Sequence, residues 1–309
     1  MSQYIRDYFD RHAHAWLEEA YTEGDTPAAF PLGRERLRLA LGPVADAGGK
    51  LVDLGCGGGH LCAVAAGLGL TVTGVDVAPG MIEEAEALRA TLPAEEAERI
   101  SFVTSPIGKT DLPDGEFDSA TAMGLIEYLP EDAALFEPAR RLLKPRGILA
   151  VSCRNRLFNL QSGNEYTLGE IEHGDARGLL AELRTGLERV DAAELRSLAR
   201  ELADRAPLLA LAADEDETEP PPELLGHVTA FRAERRQHTP TELERSAREA
   251  GFEPVSALAL HPHPLPPGLE PLAPRVYNQL ALAWQRTLAG SAAGLCTASA
   301  FVSIFAAPH

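Results

Sequence analysis

Three glycines at alternate positions, Gly55, Gly57 and Gly59, follow directly on the apolar run Leu51-Val52-Asp53-Leu54. A run of small residues from Leu61 to Gly69 comes next. This order predicts a buried strand, a turn without Cβ atoms and a helix that starts at once. Such a turn lets a ligand approach the main chain, and the helix start offers unpaired N–H groups and partial positive charge. A second β-branched run, Leu70-Thr71-Val72-Thr73-Gly74-Val75, ends on Asp76. In a doubly wound sheet that acid stands at the carboxyl edge beside the glycine turn, placed to accept hydrogen bonds from ribose hydroxyls. His60 stands where a dinucleotide site of the G-x-G-x-x-G/A type would carry its third glycine. The departure favours an adenosine ligand other than NAD or FAD.

The elements that would position these groups are legible in outline. Ile100–Ser105, Phe117–Gly124 and Ile148–Cys153 read as the third to fifth strands, Phe252–Leu260 as the sixth and Cys296–Phe305 as an alternating seventh. Thr239-Pro240-Thr241-Glu242 has the pattern of a capped helix start, with proline at the first helical position and glutamate three residues after the cap. Leu179, Leu180, Leu183 and Leu187, then Leu195, Leu198 and Leu202, predict helices between about 158 and 238. The acid and proline run Asp214–Pro222 reads as a solvated loop. Near the N-terminus, Tyr4, Ile5, Tyr8, Phe9, Ala13, Trp16 and Leu17 recur at helical spacing, and Tyr21 and Phe30 lead into the next helix. His261-Pro262-His263-Pro264 reads as a stiff loop at a sheet edge, without a carboxylate or thiol at ligand spacing, so no metal site is expected.

The chain has 309 residues, 45% hydrophobic and 24% charged, enough for one large core with an inserted subdomain. Its formal charge of −18 disfavours a phosphate-backbone partner and an anionic membrane surface. Cys56, Cys62, Cys153 and Cys296 show no C-x-x-C spacing and read as small buried hydrophobes. With no signal peptide and no apolar run of membrane-spanning length, a cytoplasmic location is expected.

Four stretches in order resemble one family: Val52–Gly59, Val75–Met81, Leu112–Asp118 and Leu142–Leu149. They are similar to the class I S-adenosylmethionine-dependent methyltransferases, and most to the small-molecule branch that includes the ubiquinone-biosynthesis O-methyltransferases. The resemblance covers the first half of the chain well and the second half poorly. It implies an α/β, doubly wound, Rossmann-like sheet of seven strands, the last antiparallel, with an inserted helical cap. The organisation it suggests is an N-terminal helical lid over 1–48, a cofactor-binding core over 49–157, a cap over 158–238, and completion of the core sheet over 239–309. The implied cofactor is S-adenosylmethionine, with S-adenosylhomocysteine as product. The acceptor would be a small molecule methylated at oxygen or nitrogen by a monomer or homodimer, with neither nucleic acid nor membrane as partner.

The resemblance also distributes roles. Arg34, with Arg36 as the neighbouring alternative, would reach the methionine carboxylate. Asp53, Gly55, Cys56, Gly57 and Gly59 would form the turn, Asp76 would hold the ribose, and Val77 and Met81 would face adenine. Ser105 and Ile107 stand where relatives place an aspartate against the adenine amino group, and the backbone at Met123 would face the methionine part. Asn155, at the end of the fifth strand, also resembles a residue of the quinone-methylating branch. Glu127, Tyr128, His238 and His261 are the acid–base candidates, and Tyr166 with the N-terminal aromatics could instead cage an amine. A nicotinamide oxidoreductase with an atypical turn, and a non-catalytic scaffold of the same fold, are the alternatives.

Overall fold

The computed structural model describes residues 3–18, 28–218 and 235–309. Seven strands form one sheet: β1 (Lys50–Leu54), β2 (Thr71–Asp76), β3 (Ile100–Thr104), β4 (Phe117–Met123), β5 (Leu143–Arg154), β6 (Glu253–Pro262) and β7 (Ala298–Ala306). Their order is β3-β2-β1-β4-β5-β7-β6, with β7 antiparallel to both neighbours and the pairs from β3 to β5 parallel. The chain reverses its direction of sheet growth between β1 and β4, which opens a crevice at their carboxyl ends.

Helices cover both faces. They are α1 (Gln3–Leu17), α2 (Leu32–Ala47), α3 (His60–Gly67), α4 (Pro79–Ala90), α5 (Ala94–Ala97), α6 (Ala133–Leu142), α7 (Asn159–Ser162), α8 (Glu165–Glu172), α9 (Ala176–Leu187), α10 (Ala192–Asp204), α11 (Ala206–Thr218), α12 (Pro240–Glu249), α13 (Pro274–Leu288) and α14 (Ala292–Thr297). One core layer joins Leu135, Phe136 and Leu142 of α6 and Leu243 of α12 to Val52, Leu149 and Phe305; the opposite layer joins Leu39 and Val44 of α2 and Leu61 and Ala65 of α3 to Leu51, Val72 and Ile304. Cover on both faces is why the inner strands read as apolar runs rather than alternating ones. The start of α12 is a capping box: Thr239 Oγ1 accepts from Glu242 N while Thr239 N donates to the Glu242 carboxylate.

The second half differs from its sequence reading in three places. The stretch after His263 is mostly helical, because α13 and α14 lie between β6 and β7; the seventh strand begins at Ala298, and Cys296 belongs to α14. The acid run is not all loop. Asp214 to Thr218 end α11, and Asp216 accepts from Arg275 N and Val276 N at the start of α13, compensating two orphan donors of that helix. The remainder of that run, from 219 on, lies outside the described residues, as does Tyr21. His261 is not a loop residue, since β6 continues through Pro262, while His263 follows directly after the strand and is buried. All four cysteines are buried, free thiols.

Candidate functional site

The glycine turn sits over the carboxyl end of β1, tied to β2 by bonds from Gly55 N and Cys56 N to Val75 O. Gly57 has φ +50, and a Cβ there would meet nothing nearer than the Met81 sulfur at 3.9 Å, so its face is open to a ligand. Asp76 ends β2 beside it. One carboxylate oxygen accepts from Gly57 N at 3.0 Å and the other from Ala78 N at 2.9 Å. Burial pushes the Asp76 carboxyl up, and these backbone donors pull against that.

A cavity of about 160 Å³ (the volume open to the centre of a water molecule) lies between this turn, the end of β4 and helix α1. Gly55, Gly57, Asp76, Val77 and Met81 line it from one side; Met123, Glu127 and Tyr128 line it from the other. Helix α1 closes it with Arg6, Phe9 and Trp16. That helix is seated by Leu17, which fills the space a Cβ of Gly58 would need, and by Asp10, whose carboxylate accepts from Gly80 N at 2.7 Å. Phe9 packs edge-on against Trp16 at 5.7 Å and against Tyr128 at 5.4 Å.

Two polar groups in the cavity wall are under-satisfied. Arg36 Nε is buried without a hydrogen-bond partner among the described residues, and so is Glu127 Oε2. Glu127 lies in a 3₁₀ turn, Ile126–Tyr128, held by the bond from Arg236 N to Glu127 O. Its nearest cation is Arg235, whose Nε is 3.9 Å from Oε2 and whose guanidinium lies over the Tyr128 ring. Burial pushes the Glu127 carboxyl up, countered by Arg235, Arg154 and Arg36. Burial likewise pushes the Tyr128 phenol up, with the Glu127 charge adding to it.

The other sequence candidates lie elsewhere. Arg34 is on the exposed side of α2, and Arg36 takes the place on the cavity wall; two residues along a helix turn a side chain by roughly 200°. Asp53 is beneath the turn, accepting from Thr121 Oγ1 at 2.7 Å and facing the Cys62 thiol, and its burial raises it to about 6. Cys56 is buried behind the turn, and Gly59, the left-handed residue before α3, packs on Phe102. Ser105 Oγ turns back to Pro106 O and Ile107 is in the core, so neither lines the cavity.

His238 is buried between Asp132, 2.9 Å from its Nε2, and the Cys153 sulfur, 3.4 Å from its Nδ1. His261 stacks on Phe30 at 4.3 Å and packs tilted against His263 at 4.2 Å. Neither histidine lines the cavity. Asn155 is wholly engaged, donating to Leu295 O and Ala298 O and accepting from Leu157 N. Tyr166 pairs with Arg154 away from the cavity. Sequence reasoning missed Arg6 and Arg235. Arg6 shares the helical stripe of Phe9 and Trp16 and could have been found there; Arg235 carries no comparable signal.

A profile described as a methyltransferase domain matches residues 52–151, the stretch holding β1 to β5 and most of the cavity. The chain is 31% identical over 150 residues to the ubiquinone biosynthesis O-methyltransferase of Xanthomonas campestris pv. campestris, covering 48% of this chain and 60% of that one. It is 32% identical over 176 residues to the protein of the same name from Methylococcus capsulatus, covering 54% of this chain and 69% of that one. The chain belongs to the class I S-adenosylmethionine-dependent methyltransferases. Its fold matches the magnesium protoporphyrin IX methyltransferase of Synechocystis PCC 6803, a structure with bound SAH, at a TM-score of 0.54 and 14% identity over 98% of this chain and 97% of that one. The family is S-adenosylmethionine-dependent, and the cavity fits that group: an unpaired guanidinium nitrogen, an open glycine and a positioned carboxylate surround one space. No helix among the described residues is long and apolar enough to cross a membrane.

Proposed function

We propose that this chain transfers a methyl group from S-adenosylmethionine to a small-molecule acceptor, at oxygen. The observation that carries the reading is the buried, unpaired Nε of Arg36 facing a cavity that also holds Asp76 and the open face of Gly57. Arg36 would take the methionine carboxylate, Asp76 the ribose hydroxyls, and Val77, Ala78 and Met81 the adenine face. The backbone at Met123 and Gly124 borders the methionine end. Within the lid read over residues 1–48, helix α1 excludes water by Phe9 and Trp16, while α2 packs on the sheet.

When bound, S-adenosylmethionine supplies a methyl already activated on a sulfonium, so the protein must orient the acceptor and manage one proton. Glu127 is the base this cavity offers. Its Oε2 would accept the acceptor's hydroxyl proton as the acceptor oxygen takes up the methyl that the sulfonium supplies. A base raised by burial suits that task near neutral pH. Oxygen as the acceptor atom is supported by the names of the Xanthomonas and Methylococcus relatives. The chain spans 60% of the length of the Xanthomonas proteins.

Calorimetric titration tests the cofactor assignment: S-adenosylhomocysteine binds at one site per chain and NADH does not. Binding of NADH instead would overturn the reading in favour of a nicotinamide oxidoreductase. A labelled-methyl assay over phenols and amines then reads the acceptor atom, and transfer only to nitrogen removes the role given to Glu127.

A further inference from the structure

We propose that Asp132 is a positioning residue: by accepting from Arg236 and His238 together, it sets the register of the stretch leading into α12 and so places Arg235 beside Glu127. This role rests on the reading of Glu127 as the base and adds what holds that carboxyl in its charge environment. Arg235 and Arg236 are neighbours of one type, so side-chain chemistry alone does not choose which of them faces the cavity. The contacts of residues 235–238 alternate as those of an extended chain do. Arg235 lines the cavity, with its guanidinium over the Tyr128 ring at 5.8 Å. Arg236 turns the other way, Nη2 donating to Asp132 Oδ1 at 2.6 Å and Nη1 to Leu129 O at 3.3 Å. Gln237 accepts from Asn159 Nδ2 at 2.6 Å, and His238 comes back to Asp132, its Nε2 2.9 Å from Oδ1. One carboxylate therefore reads two side chains spaced two residues apart.

Asp132 stands at the N-cap of α6, where an aspartate ordinarily accepts from the first free N–H groups of its helix. Its side chain makes no such bond. Both oxygens are committed elsewhere, Oδ1 to Arg236 and His238 and Oδ2 to Ser246 Oγ at 2.6 Å. The main chain joins the same arrangement: Arg236 N donates to Glu127 O at 3.1 Å and His238 N to Arg154 O at 3.3 Å. A slip of one residue would break these bonds and turn Arg236 towards the cavity in place of Arg235. The consequence is electrostatic. Arg235 Nε lies 3.9 Å from Glu127 Oε2. Burial opposes ionisation of Glu127, and among the charges that favour it Arg235 acts most strongly, ahead of Arg154 of β5 and Arg36 of α2. The other titratable neighbours are Tyr128 and Cys153, each pushed up by burial and then by the Glu127 charge. Arg6 of α1 and Asp76 of β2 stand on other walls of the cavity.

Glu127 is read directly, without an acceptor. The full chain is isotope-labelled at its glutamate carboxyls, the Glu127 NMR resonance is assigned by its loss in Glu127→Gln, and its midpoint is followed with pH. Asp132→Asn moves that midpoint to higher pH, the direction of losing Arg235. Were Asp132 felt at Glu127 only as a negative charge, its removal would move the midpoint to lower pH, so the sign separates the two roles. Arg235→Gln raises the midpoint as well, and Asp132→Asn adds no further shift in that background, because both act through one contact. Arg236→Gln leaves Asp132 and His238 paired and serves where Asp132→Asn does not fold; it too raises the midpoint and adds nothing to Arg235→Gln. An unmoved or lowered midpoint, or shifts that add in the double variants, overturns the proposal. Failure of S-adenosylhomocysteine to bind the unaltered chain overturns the methyl-transfer reading instead, and leaves the Glu127 midpoints to be judged on their own.

Discussion

Above β1, β2 and β4 the carboxyl edge of the sheet ends in glycines and a short turn, whereas above β5, β7 and β6 it is built over with helices. The polar groups of the two halves differ accordingly. In the covered half, Gln285 donates to Ala259 O and accepts from His261 N, Asn155 engages all its groups, and Asp132 accepts from His238, Arg236 and Ser246. In the open half, Arg36 Nε and Glu127 Oε2 have no hydrogen-bond partner among the described residues. A buried polar group without a partner costs free energy, and in a cavity wall a ligand can offset that cost. The contrast is one of position rather than number: in the covered half Glu194 Oε2, Asn278 Oδ1, Trp284 Nε1 and the outer nitrogens of His261 and His263 also lack partners among the described residues, the histidines in a stack closed by Phe30 and Phe158, and none of these lines the cavity.

The sharpest way to break this comparison is at Asp132. Burial opposes its ionisation, but bonds from His238 and Ser246 and the charges of His238 and Arg236 hold its carboxyl well below the usual range. Asp132→Ala should cost about 3 kcal/mol of stability, because three donors lose one acceptor; urea unfolding measures it, and a loss under about 1 kcal/mol would show that the covered half does not depend on this network. The sign with pH follows. A depressed carboxyl contributes stability that is present above its unfolded value, about 3.9, and is lost as pH falls through its lower folded value. At Glu127 the expected effect is on turnover instead: Glu127→Gln lowers kcat by about a hundredfold, the lower range for a general base. The wild-type acid limb of kcat should lie above the ordinary glutamate range, since burial raises this group, and it should vanish in the variant.

Arg36→Ala should weaken S-adenosylhomocysteine by about 2 kcal/mol, the worth of a hydrogen bond to a charged group, while Arg34→Ala changes it by less than about 0.5 kcal/mol. Calorimetry on the two variants tests the placement of the carboxylate directly, and equal effects would remove it. Asp76→Ala follows at about 1.5 kcal/mol on the same measurement, for two ribose hydroxyls left without an acceptor. Smallest at neutral pH is the effect of the histidine stack. Burial lowers His263 to about 4, so the folded chain binds fewer protons there than the unfolded one, whose histidine titrates near about 6.5. Stability should therefore fall as pH drops through that window, and His263→Gln should flatten the slope in urea unfolding series run between those pH values.

The open half was legible in the sequence because it is made by short, local signals. Gly57 must be a glycine to leave a ligand room at the main chain, and Asp76 must end its strand to reach that room; neither needs the rest of the chain to be read. The strand segments and the capping box at Thr239 were likewise available, since apolar runs and cap residues act within a few positions of themselves, whereas the antiparallel seventh strand followed from the family resemblance and the order of the strands from the tertiary structure. The helices α13 and α14 were not anticipated, and the acid run read as solvated although Asp216 caps α13 from 59 residues away.

What the sequence determined alone was the strand segments, the capped helix start and the glycine turn after the first strand, because these follow from periodicity and from residues with restricted or unrestricted φ. Which arginine faces the cavity, which histidines are sealed away from it and which guanidiniums line its mouth were decided by tertiary structure. Arg34 and Arg36 differ by two residues and by the side of α2 they occupy, and only the packing of that helix on the sheet chooses between them. His238 and His261 have the chemistry of a base, but His238 is engaged by Asp132 and His261 is stacked on Phe30, and neither reaches the cavity. Side-chain type fixes what a group is able to do; the fold fixes whether anything can reach it.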